Sequence, residues 1–185
     1  RVYWDNGGEE MLKGEKRREQ ILAAAEEMFY QNGYERTTVS DIITALGLSK
    51  GGFYHHFESK EALLQAICDR KAEDSYAAAR RAVDDCPGSW ADKFNAMFDQ
   101  YGMWQSGNAD FMGLLIRVAY REDNLIMRDK LKRKSMGLML PLVEEIVKGG
   151  VAAQEFITPY PEGTGMLVLQ LGSSFSDSIA GLLLR

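Results

Sequence analysis

A chain of 185 residues, 45% apolar and 26% charged, is long and apolar enough to bury a core without disulfides or metal. Its formal charge of −5 excludes a general polyanion binder, so nucleic acid must be met by a few cations concentrated on one face. The two cysteines, Cys68 and Cys86, fit neither a disulfide framework nor a metal spacing, which points to a reducing, cytoplasmic setting.

No run of about 20 apolar residues suggests a membrane span, and no membrane partner is expected. The polar, glycine-containing stretch 1–14 lacks the apolar centre of a signal peptide and reads as a flexible N-terminal arm. Over Gly14–Asn32 the residues Ile21, Leu22, Ala25, Met28 and Phe29 lie on one helical face, and Asn32-Gly33 supplies a left-handed stop. Thr38 is an N-cap candidate with Asp41 three residues on, a short-armed capping box. Val39, Ile42, Ile43 and Leu46 then form one stripe that ends at Gly47. Ser49 caps a further helix of about two turns with Phe53 and Phe57 facing inward, and Ser59 with Glu61 opens a long helix carrying Leu63, Leu64, Ile67 and Cys68 inward.

The break at Asp84–Ser89 is followed by a helix over Trp90–Ser106, an interruption at Gly107-Asn108 and a helix over Phe111–Tyr120. A long helix over Leu125–Lys148 is expected to kink at Pro141 and to end at Gly149-Gly150. The loop Thr158–Gly165 leads to a last apolar helix, Met166–Leu184. The fold class is therefore all-α: an N-terminal three-helix module over 15–60 after the 1–14 arm, and a helical body over 61–185.

Two short helices joined by a three-residue turn containing glycine must cross steeply, the geometry of a helix-turn-helix whose second helix enters a DNA major groove. With Phe53 and Phe57 turned inward, that helix presents Lys50, Gly51, Tyr54 and His55 outward. Lys50 reaches a guanine edge or a phosphate, and Tyr54, His55 and His56 reach phosphate oxygens or a thymine methyl. Gly51 and Gly52, poor helix formers, make sense where a large partner approaches the backbone. Thr38 and Lys60 open the flanking helices, whose N–H groups also favour phosphate.

Thr37-Thr38-Val39-Ser40-Asp41-Ile42, followed by the run Ala45-Leu46-Gly47-Leu48-Ser49-Lys50-Gly51-Gly52-Phe53-Tyr54-His55-His56-Phe57 and Glu58-Ser59-Lys60-Glu61-Ala62-Leu63, resembles the DNA-binding domain of the TetR family of regulators. The resemblance spans about Ile21–Ile67. It implies an all-helical homodimer of about nine helices, with DNA contacts at Thr38, Ser49, Lys50, Gly51, Tyr54, His56 and Lys60, and a C-terminal ligand-binding and dimerisation domain.

In the body, Phe98, Tyr101, Trp104, Phe111, Met112, Leu115 and Met139 are candidates to line a pocket for a small apolar or amphipathic effector. Met166–Leu184 mixes large residues with small ones. Leu169, Gly172, Phe175, Ser176 and Ile179, with Leu138, Leu142 and Ile146 of the long helix, are the expected interface of a four-helix homodimer contact. No nucleophile elbow, phosphate loop or zinc spacing is present, so neither an enzyme, a cofactor nor a metal is expected. The expected function is a repressor released from a palindromic operator in double-stranded DNA by a small molecule. The alternative is a helical ligand-binding or protein-interaction scaffold without specific DNA binding.

Overall fold

The structure, a computed structural model, describes residues 6–121 and 124–184, with side chains from Lys13 onward. Among the described residues there are eight helices and no strand: α1 (Asn6–Asn32), α2 (Val39–Ala45), α3 (Lys50–Tyr54), α4 (Lys60–Asp84), α5 (Trp90–Gly107), α6 (Ala109–Ala119), α7 (Leu125–Ala152) and α8 (Pro161–Leu183). The chain divides into two compact units, Arg1–Ile67 and Cys68–Arg185, and α4 begins in the first and continues into the second.

In the first unit Ile21, Leu22, Ala25 and Phe29 of α1 are fully buried, together with Ile42 of α2, Phe53 of α3 and Leu63 and Ile67 of α4. Helices this short need their ends satisfied, and both are capped from the side chain. Thr38 Oγ1 accepts from the Asp41 N–H (3.2 Å) while Asp41 accepts from the Thr38 N–H (2.8 Å), and Ser49 Oγ accepts from the Gly52 N–H (3.0 Å). The glycines that end α1 and follow α2 take the left-handed backbone that other residues avoid, Gly33 at φ 85° and Gly47 at φ 60°. The stripe expected on α2 is narrower than its periodicity suggests: only Ile42 is buried, and Val39, Ile43 and Leu46 are half-buried. A helix of seven residues has room for one inward row.

The start of α1 at Asn6 lies inside the expected arm, whose residues 1–5 fall outside the described residues. Glu9, Glu10, Lys13 and Lys16 are good helix formers, and no proline intervenes before the apolar face begins.

In the second unit the core joins Ala79 and Val83 of α4, Met97 of α5 and Leu142, Val143, Ile146 and Val147 of α7, with Trp90, Phe94, Phe156 and Leu169 packed around them. Two ion-pair groups fasten α4 to α7 beside this core. Lys134 Nζ lies 2.8 Å from Glu73 Oε1, and the Arg80 guanidinium bridges Asp84 on its own helix and Glu145 on α7.

Gly149-Gly150 does not end α7, which runs on to Ala152; the turn follows at Gln154, a non-glycine residue at φ 62°. The glycines serve packing instead. A Cβ on Gly149 would overlap the Trp90 indole, and one on Gly150 would overlap the Phe156 ring. Likewise α8 begins at Pro161 rather than Met166, because proline at the first helical position lacks only an N–H that has no partner there. Leu142 and Ile146, expected at an interface between copies, are 1% and 0% exposed within the chain's own core, so no partner reaches them.

Gly149→Ala and Gly150→Ala are each expected to destabilise the protein by about 1–3 kcal/mol through overpacking. Gly102→Ala, which meets nothing within 4 Å inside α5, should be neutral or stabilising by up to about 1 kcal/mol. Urea unfolding followed by circular dichroism checks the contrast, and equal effects at all three positions would refute it.

Candidate functional site

The five residues of α3 cannot make a helix stable in isolation. The Ser49 cap holds one end, and Phe53 is fully buried against the unit's interior with the Phe57 ring 6.1 Å away. Fixing Phe53 inward fixes what faces out: Lys50, Gly51 and His55 are exposed, and Tyr54 is 45% exposed with its ring edge-on to Phe53. Nothing lies within 4 Å of where a Gly51 side chain would stand, so this backbone is open to a large partner. Gly52 has a different reason to be small, since a Cβ there would come within 3.2 Å of the capping Ser49 Oγ.

His56 lies beyond the helix, half-buried, its ring 5.1 Å from that of His55. Burial, with the positive fields of His55, Arg18 and Arg17, lowers its pKa below the ordinary imidazole value, so the ring is neutral at neutral pH. Arg17 and Arg18 therefore stand near the end of α3, contacts that reasoning along the chain did not assign. The Arg18 guanidinium lies 5.1 Å over the Phe57 ring, and Arg17 donates to the Leu46 carbonyl at 3.3 Å. Arg17 and Arg18 sit one turn before Ile21, and that spacing was the available signal. Lys50 and Arg18 are exposed and Arg17 is half-buried, in a chain whose formal charge is −5.

Thr38 is exposed but its hydroxyl also donates to Asp41 Oδ2 (2.7 Å), and the Ser49 hydroxyl is engaged in its cap. Asp41 is held below the ordinary carboxylate range by its hydrogen bonds from the Thr38 backbone and side chain. That contribution to stability is present above the unfolded pKa and is lost as pH falls through the lower folded value.

Lys60 corrects an expectation. Its ammonium donates to the carbonyls of Tyr34 (3.0 Å) and Thr37 (3.1 Å) and lies 4.2 Å over the Tyr34 ring. The side chain is thus spent on the turn between α1 and α2, which Thr37 closes from the other side by donating to the Gly33 carbonyl (2.9 Å). Lys60 ties the start of α4 to that turn rather than reaching outward.

The second unit contains a cavity of about 240 Å³ bounded by α5, α6, α7 and α8. Of the residues expected in a pocket, Phe98, Tyr101, Leu115 and Met139 line it, joined by Met97, Leu131, Met136 and Val168. Trp104, Phe111 and Met112 do not. Trp104 and Phe111 pack edge-on at 6.2 Å, and Lys71 Nζ lies 5.8 Å over Phe111, a separate cluster of the same unit. One end of the cavity is polar, with Tyr120, Arg128, Lys132 and Asp177, none of which sequence reasoning singled out. Leu169, Gly172 and Ser176, expected between copies, also line this space.

The outer face of α8 is different. Leu167, Leu171, Phe175 and Leu182 are 61–73% exposed and follow one another along the helix, with Ile179 at 41%. α8 is long and apolar enough to pass a length-and-composition test for a membrane span, a test that core helices of soluble proteins also pass; it carries Asp177, hydrogen-bonded to Tyr120.

Residues 21–67 match the family described as bacterial regulatory proteins, tetR family. Over 75 residues the chain is 37% identical to the HTH-type transcriptional regulator TtgR of Pseudomonas putida, an alignment covering 40% of this chain and 36% of that one. Over 65 residues it is 40% identical to an HTH-type transcriptional repressor of Mycobacterium tuberculosis, covering 35% of each. The chain thus spans about a third of the length of these relatives. The fold is similar across most of the chain to two solved structures. A tetR-family regulatory protein from Rhodococcus shares 25% identity and covers 86% of this chain and 83% of its own, with a TM-score of 0.56. A tetR-family regulator from Pectobacterium atrosepticum shares 17% identity and covers 92% and 84%, with a TM-score of 0.69.

Lys60→Met is expected to cost about 1–3 kcal/mol of folding stability, because two carbonyls lose a charged donor. Urea unfolding measures this, and a cost near zero would show that the Lys60 contacts do not hold the turn.

Proposed function

We propose that the chain, whose residues 21–67 match the tetR family of bacterial regulatory proteins, is a cytoplasmic homodimeric repressor, released from a palindromic operator by a small ligand. The observation that carries this reading is the outward face of α3, where Lys50, open Gly51 and Tyr54 are exposed, while Arg17 and Arg18 of α1 lie near His56 just past its end. Lys50 at the N-terminal end of α3 is placed to read a base edge, while Tyr54, His55 and the two arginines position the backbone. Thr38 and Ser49 act through the helix ends they cap, whose free N–H groups suit phosphate.

The outward face of α3 offers few cations in one copy, so two copies on two half-sites about 34 Å apart multiply a modest affinity. The exposed row Leu167, Leu171, Phe175 and Leu182 on α8, with Ile179, is the surface a second copy covers, and half-buried Leu138 of α7 is a further candidate for it. In the cavity a ligand touches α7 through Ser135, Met136 and Met139, and α7 is tied by ion pairs to α4, the helix that continues from the first unit. A ligand shifts the equilibrium between DNA-competent and released dimers only by the difference in its affinity for them.

Fluorescence anisotropy with the DNA upstream of the chain's own gene, at several salt concentrations, tests this. Specific binding that weakens linearly in log salt is expected, and flat or absent binding sinks the reading in favour of a scaffold. Lys50→Ala should cost about 1–3 kcal/mol on the operator and much less on unrelated DNA. Arg17→Ala should weaken both equally and lower the salt slope by about one. Phe175→Glu should yield monomers by light scattering and abolish operator binding.

A further inference from the structure

The polar end of the cavity in the second unit is a compact cluster. The Tyr120 hydroxyl donates to Asp177 Oδ1 at 2.6 Å, Lys132 Nζ lies 3.5 Å from Asp177 Oδ2, and the Arg128 guanidinium sits 5.0 Å over the Tyr120 ring. All four residues line the same space as the apolar Met97, Leu115, Met136 and Val168. Burial, together with the hydrogen bond to Asp177 and its charge, raises the Tyr120 pKa far above the ordinary phenol value, so the group stays a neutral donor.

We propose that this cavity takes a small amphipathic carboxylate, its anionic head against Arg128 and Lys132 and its tail among the methionines; this rests on the effector-binding reading given above. Three features argue for it. First, the charge balance is positive: two cations face one carboxylate among the described lining residues. Arg128 and Lys132 stand four residues apart on α7, where like charges repel, and Asp177 offsets only one of them. Second, the donors and acceptors are unequally committed. Asp177 already receives the Tyr120 hydroxyl and faces the Lys132 ammonium, so an incoming cation finds a satisfied acceptor flanked by positive charge. An incoming carboxylate finds the opposite. The Lys132–Asp177 pair is long and its side chains are 40% and 43% exposed, so it yields readily to a shorter charge-assisted contact. Third, at about 240 Å³ the space falls below the range of roughly 300–1,000 Å³ of drug-sized sites, which limits the tail to a short or slender one. Flexible methionine walls then adapt to a chain better than to a rigid ring system.

The test is calorimetric titration of the intact protein, free of DNA, with three probes of one tail length: decanoate, 1-decanol and decylamine. Decanoate is expected to bind more tightly than either of the others by about tenfold. In the double variant Arg128→Met, Lys132→Met the preference for decanoate over 1-decanol should vanish. Retained 1-decanol binding shows that this variant keeps its cavity, and if it does not, the single variant Lys132→Gln gives the same comparison. Asp177→Asn should strengthen decanoate binding several-fold, because it removes a competing negative charge and frees Lys132. Equal binding of the three probes, tighter binding of decylamine, or loss of decanoate binding in Asp177→Asn overturns the head-group assignment. Binding of none of the probes overturns it as well. None of these results touches the DNA reading, which stands or falls on operator binding measured without any probe.

Discussion

A five-residue helix has to be held by its surroundings, and the burial of Phe53 is the interaction on which the orientation of α3 depends. Forming α3 satisfies few of its own backbone groups, so its orientation is set by a cap at one end and one ring driven out of water. Full burial of such a side chain contributes about 1.5–3 kcal/mol. That is comparable with what a single good base contact supplies to discrimination. Under the proposed function, loosening the ring would therefore dissipate the advantage of Lys50 even with Lys50 intact, because contact energy is realised only when the group is already in place.

The same requirement explains where the neighbouring polar groups go. Lys60 reads in the sequence as one more phosphate contact, in a protein whose acidic residues outnumber its basic ones. Its ammonium instead closes on the carbonyls of Tyr34 and Thr37, and Tyr34 packs edge-on against Phe29 of α1 at 5.1 Å. The turn between α1 and α2 is thereby tied to the start of α4 by charged hydrogen bonds and by a buried aromatic pair. Positioning takes precedence over charge here. Because α4 continues past Ile67, its first turn belongs to the first unit and its later turns to the core of the second.

What the sequence made legible follows from how local each signal is. The Thr38–Asp41 box, the Ser49 cap, and Gly33 and Gly47 act within four residues, and each appears where the pattern puts it. Misreadings begin where one residue type has two physical uses. A glycine pair reads as a stop, yet Gly149 and Gly150 lie inside α7 because Trp90 and Phe156, distant or beyond a turn, need the space. Proline reads as a break, yet Pro161 starts a helix. The apolar rows of α7 look alike along the chain, so nothing local distinguishes Leu142 and Ile146, which face the chain's own core, from residues left for a partner. Arg17, Arg18, Tyr120, Arg128 and Asp177 belong to sites assembled from different helices, and no spacing in one segment announces such a meeting.

The small residues of α8 show how two uses can share one helix. Read along the chain, Gly172, Ser173 and Ser176 suggest a surface that lets a second helix approach. In the structure they line the cavity, while the large residues Leu167, Leu171 and Phe175 occupy the exposed row. Small side chains on the inner face leave volume for a ligand, and large ones on the outer face supply apolar area for a partner. The two faces are back to back on a single rigid element, and Asp177, hydrogen-bonded to Tyr120, anchors the inner one. Anything that fills the cavity therefore presses on the helix whose other side is proposed to join the copies. Under that reading, ligand and dimer geometry are coupled through the thickness of one helix, with α7 and its ion pairs to α4 as a second route.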